Sequence, residues 1–75
     1  MKKRFSGFSP DEAIAIVIAV AGGPAELARA IGVSHQVVYK WRRKGRFPPE
    51  RVLPIARALD IEPHSIDPEL YPRDL

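Results

Sequence analysis

The chain has 75 residues, with 12 Lys plus Arg against 9 Asp plus Glu, a formal charge of +3 and a pI near 9.7. That length holds one hydrophobic core and buries only about 60% of the unfolded surface, so such a domain gains from a partner. There is no cysteine, and His35 and His64 lie far apart, which excludes a disulfide framework, a thiol nucleophile and a zinc site of ordinary spacing.

Residues 1–8 read as a flexible basic N-terminal arm built on Lys2, Lys3 and Arg4, and residues 9–75 as a single domain. Ser9, Pro10, Asp11 and Glu12 start a helix: a hydroxyl at the cap, proline at the first position, acids in the first turn. The apolar run Ala13 to Ala21 carries it to Gly22-Gly23. This run is nine residues long, too short to span a bilayer. Asp11 and Glu12 also separate it from the basic start, unlike a signal peptide, so a cytoplasmic protein without a membrane partner is expected. Ile14, Ile16, Val17, Ile18 and Val20 are apolar nearly all round, which predicts the central core helix. Their β-branching also suits a strand, but the cap, the alanines and the lack of a partner strand favour helix.

Pro24 opens a second helix that ends before Gly32, and Ser34 caps a third that ends at Gly45. A fourth starts at Pro48-Pro49-Glu50 and reaches Leu59 or Asp60, with Pro54 inside it expected to kink or shorten it. The remainder, broken by Pro63, Pro68 and Pro72, holds a short turn or two. His64 and Ser65 read as turn residues, and Asp67-Pro68-Glu69 as a cap-like start of a single turn. The fold class is all-α, four to five short helices.

Charge is uneven along this frame. Residues 1–57 carry 11 basic and 4 acidic side chains, residues 58–75 one basic and five acidic. At about 100° per residue, Leu27, Ala28 and Ile31 form one narrow apolar stripe on the second helix, with small Ala28 at its middle. On the third, Val37, Val38 and Trp41 form the buried stripe. His35, Gln36, Tyr39, Lys40 and Arg43 form a polar, cationic face without an acid. A solvated face usually mixes Glu with Lys for i,i+4 pairs, and this one does not. Such a face suits the major groove of double-stranded DNA. Gln36 matches adenine N6 and N7, and Tyr39 a thymine methyl or a phosphate. Lys40 and Arg43 match guanine or, more simply, phosphate. Ser34 is a helix cap first and a phosphate donor second. His35 stands either near phosphate-binding amides or free in solvent. Arg42, Lys44 and Arg46 are flanking cations, with Lys2, Lys3 and Arg4, for backbone contact.

The spacing of Ala28, Gly32, Val38 and Trp41 resembles the helix-turn-helix family, with the motif over about 24–44. More narrowly, Gly23-Pro24, Leu27-Ala28, Ala30-Ile31-Gly32-Val33-Ser34, Val38, Lys40-Trp41, Gly45-Arg46, Pro48 and Glu50-Arg51 resemble Cro-like phage repressors and YdaS-type antitoxins. The tail Asp67-Pro68-Glu69-Leu70-Tyr71-Pro72 is similar to that family's Arg-Pro-Asp-Leu-Tyr-Pro. Pro54 and Asp67 depart from the pattern. The resemblance implies a lambda-repressor-like fold and a small repressor without cofactor or metal, acting as a homodimer on a two-fold operator with half-sites about 34 Å apart. The alternative is an antitoxin whose acidic, Pro-rich tail neutralises a partner toxin while the helix-turn-helix autoregulates the operon. RNA binding lacks stacking aromatics on a sheet, and an enzyme lacks an acid–base pair beside a nucleophile.

Overall fold

A computed structural model describes residue 3 and residues 9–72, and within them the chain is all-α. Five helices follow in order: α1 Pro10–Ala21, α2 Pro24–Ile31, α3 His35–Lys44, α4 Pro49–Leu59 and α5 Pro63–Ile66. Each boundary has a local cause. At α1 a capping box closes the start: Ser9 Oγ accepts from the Glu12 amide, and the Ser9 amide donates to Glu12 Oε1, both at 3.3 Å. Ser34 Oγ does the same for α3, accepting from the Val37 amide at 3.4 Å.

The turn between α2 and α3 depends on Gly32, whose φ of 75° puts it in the left-handed region that side chains avoid. The Val33 amide then donates to the Ala28 carbonyl at 3.0 Å, closing the end of α2 and aiming the chain into the Ser34 cap. Gly45 ends α3 the same way, at φ 81°, and a Cβ built there would stand 3.0 Å from Asp11 Oδ1. Gly45→Ala is therefore expected to lower stability by about 1–2 kcal/mol, mostly backbone strain, since the Asp11 side chain can swing aside. Chemical denaturation of the variant measures it.

The core gathers Ile14, Val17, Leu27, Ala28, Val38, Trp41, Phe47, Val52, Ile55, Ala56, Ile61 and Ile66. α2 packs against α1, α3 and α4, and α1 against α2, α3 and α5, so both helices run through the core. α1 is a core helix as expected, but it is covered on one side only. Ala13, Ile14 and Val17 are buried there, but Val20 is 38% exposed. A run of β-branched residues has no polar face to mark its outside, so periodicity cannot show which side is covered. On the short α2, buried Ala28 stands at the middle of the apolar stripe, small enough to admit a close crossing. No single helix among the described residues is long and apolar enough to cross a membrane. The pair α1 and α2 is long and apolar enough together, but it bends by 81° and turns its apolar faces into the core.

Pro54 does not shorten α4, which runs on to Leu59. The carbonyl it deprives of a donor belongs to exposed Glu50 in the first turn, so the loss falls on the outer surface. Asp60 ends the helix at φ 55°. Beyond it, Lys3 makes a parallel bridge to Ile61: its amide donates to the Asp60 carbonyl at 2.6 Å, and the Glu62 amide donates to its carbonyl at 2.9 Å. Lys3 Nζ donates to the Leu59 carbonyl at 3.1 Å, a cation on the negative end of α4. Lys3 thus belongs to the fold, contrary to the expectation of a free arm. The rest of that arm, Lys2 and Arg4 included, lies outside the described residues.

Candidate nucleic-acid interface

The motif expected over 24–44 is formed by α2, the Gly32 turn and α3. Val38 and Trp41 point inward from α3, and Trp41 meets Phe47 edge to face, with ring centres 5.7 Å apart at 76°. This aromatic pair anchors α3 and turns its other side outward. His35, Gln36, Tyr39, Lys40 and Arg43 are all exposed on that side, Tyr39 by 49%. The His35 and Tyr39 rings meet edge on at 6.1 Å and 86°. No acid stands within α3. What results is a convex strip carrying amide, imidazole, phenol and cations, with Ser34 holding its N-terminal end.

The flanking cations divide. Arg42 turns back to α1, its Nη1 3.4 Å from Asp11 Oδ1. Lys44 lies on the side of α3 toward the loop that leads into α4. Arg46 has a partner the sequence did not reveal: its Nε donates to Asp67 Oδ2 at 2.9 Å and its Nη2 to Oδ1 at 3.1 Å. Glu69 Oε1 sits 3.2 Å from its Nη1. Arg46 is therefore a tie within the fold as well as a surface cation.

Asp67, expected as the cap-like start of a turn and as a departure from the family pattern, is also an ion-pair partner. Its side chain is 1% exposed. The carboxylate also accepts from the Glu69 and Leu70 amides at 3.2 and 3.1 Å, while its carbonyl accepts from the Tyr71 amide at 3.0 Å. The cap-like turn expected at Asp67-Pro68-Glu69 is thus present, and its cap is buried. Burial pushes the Asp67 carboxyl up, but the Arg46 guanidinium and the Leu70 and Glu69 amides together outweigh it and hold it below the usual carboxylate range. On α5, the His64 ring meets the Tyr71 carbonyl through Nδ1 at 2.9 Å, which fastens the same turn from the other side. An Asp followed by Pro and Glu, and an Arg just past a glycine cap, were the available signals; neither names the other as partner.

Among the described residues no three His, Asp or Glu side chains converge as metal ligands would. Comparison with curated proteins and with solved structures found no match. Comparison with family models matched residues 14–70, from the second turn of α1 to the turn capped by Asp67, to the family described as bacterial toxin YdaS. That span covers more than three quarters of the sequence and the whole of the α2–turn–α3 motif, and the chain belongs to the YdaS bacterial toxin family.

Proposed function

We propose that this protein binds double-stranded DNA sequence-specifically and represses transcription in the manner of a Cro-like repressor, by occupying an operator with α3 in the major groove. The observation that carries the reading is the exposed face of α3, which bears hydrogen-bonding and cationic side chains and no carboxylate, backed by the Trp41–Phe47 pair. Gln36 stands near the N-terminal end, the part of a recognition helix that enters a groove deepest. Tyr39 lies beside it, and Lys40 and Arg43 follow toward the phosphates. The mode of action is binding rather than catalysis. One short helix reads few base pairs, so two copies on a two-fold operator supply the discrimination, and such a dimer should lose affinity with salt at a log–log slope of about −7 to −9.

Titrating an operator duplex and a scrambled duplex at several salt concentrations tests this. Gln36→Ala is expected to cost about 1–3 kcal/mol on the operator while leaving scrambled-duplex affinity and the salt slope unchanged. Lys40→Ala should weaken both duplexes alike and reduce the slope by about 1 per monomer. Equal losses on both duplexes for Gln36→Ala would mean that α3 does not enter the groove in this orientation, and a slope near zero would end the nucleic-acid reading.

The family's description as a bacterial toxin favours a second reading, a role in a toxin–antitoxin pair. An antitoxin acting through its acidic tail has less support, because Asp67 and Glu69 already pair with Arg46. Repression of host genes would itself be toxic when unregulated, so the two readings need not compete.

A further inference from the structure

Lys40 and Lys44 on α3 and Arg46 in the following loop line one open groove of about 450 Å³, floored by Trp41 and Phe47 and closed by Pro48 and Pro49. It runs along the edge of α3 one turn beyond Gln36, where a strand flanking the major groove would pass. Three cations around a concave apolar floor complement the charge and shape of a phosphodiester backbone. We infer that this groove seats one phosphodiester strand of a bound duplex, and that Glu69 competes with the phosphate for Arg46. The inference rests on the DNA-binding reading above and adds to it a setting of affinity by the C-terminal turn.

Arg46 faces two ways. Its Nε and Nη2 are taken by buried Asp67, whose hold also organises the turn, so that half of the guanidinium belongs to the fold. Its Nη1 side faces Glu69, whose side chain is 65% exposed. Arg46 lines the groove, and with Nε and Nη2 held by Asp67 the edge left for an entering phosphate is the one that Glu69 faces. Two anions then share one donor at short range, and Glu69 must swing into solvent for the phosphate to take its place. The acidic tail, placed on the rim of a cationic groove, lowers the attraction for any duplex regardless of sequence.

E69Q removes the charge and keeps the size. Fluorescence anisotropy with a labelled short random-sequence duplex should show E69Q binding about three- to tenfold tighter than the wild type at low salt. The difference should shrink as salt rises. K44A should bind more weakly than the wild type, while thermal unfolding of E69Q should follow the wild type because Asp67 retains Arg46. Unchanged or weaker binding by E69Q, with the wild type binding normally, overturns the competition and leaves the DNA reading intact. A lowered melting temperature for E69Q likewise overturns it, by assigning Glu69 to the fold. Unchanged binding by K44A overturns the groove as the seat. No binding by the wild type at low salt overturns the DNA reading and this inference together.

Discussion

Trp41→Ala is expected to destabilise the domain by about 3–5 kcal/mol, a large part of the stability available to a chain this small. Trp41 is 6% exposed, stacks edge on against Phe47, and joins α3 to the cluster that includes Leu27, Val38 and Val52. Truncation removes the largest core side chain and leaves a cavity that helices fixed by the Gly32 and Gly45 turns cannot close. Phe47 also loses its aromatic partner, worth about 0.5–1.5 kcal/mol beyond area. Denaturant titration of wild type and variant measures the loss. A variant that melts with the wild type but no longer binds duplex would move Trp41 from the core to the DNA face, against its burial here.

The second large effect is expected at Asp67. Breaking a buried ion pair costs about 3–5 kcal/mol when the partner is left buried and uncompensated. Here the partner is Arg46, with a side chain 45% exposed, which regains water when Asp67 is truncated. The Glu69 and Leu70 amides lose their acceptor at the same time. Asp67→Ala is therefore expected to cost about 2–3 kcal/mol, below the figure for a fully buried pair.

The same residue gives a pH signature. The carboxyl pKa is lower in the folded protein than the ordinary 3.8, so the unfolded chain binds the proton more readily. The contribution of Asp67 is then fully present above the unfolded value and is lost as pH falls through the folded one. The stability gap between wild type and Asp67→Ala should stay constant from neutral pH down to about pH 5 and narrow below about pH 4. A gap that stays constant into strong acid would mean that the charge of Asp67 adds nothing to its packing.

These two variants separate the two sides of the α3–α4 loop. Trp41 and Phe47 hold the loop from the core, and Asp67 holds it from the C-terminal turn through Arg46. Between them the loop after α3 is fixed on both faces, which keeps the cationic edge of α3 beside the 46–49 wall.

While α5 took in His64 and Ser65, expected as turn residues, the sequence by itself determined the boundaries of α1 to α4 and the outer face of α3. Both follow from interactions within about four residues: Ser9 and Ser34 reach amides one turn on, Gly32 and Gly45 supply left-handed conformations, and a 3.6-residue period sorts Val38 and Trp41 from Gln36 and Lys40. It also carried enough of a pattern to place the chain in its family. Only the tertiary structure decided which side of α1 is covered, that Phe47 is a core residue, that Lys3 closes against Ile61, and that Arg46 is bound by Asp67 across 21 residues of chain. Each of these depends on how α2 crosses its neighbours and where α5 brings the tail. An exposed arginine and a buried aspartate look like two unrelated surface charges until the helices between them have packed. The long-range partner of a charge is set by the crossing geometry of side chains such as Ala28, and no local period records it.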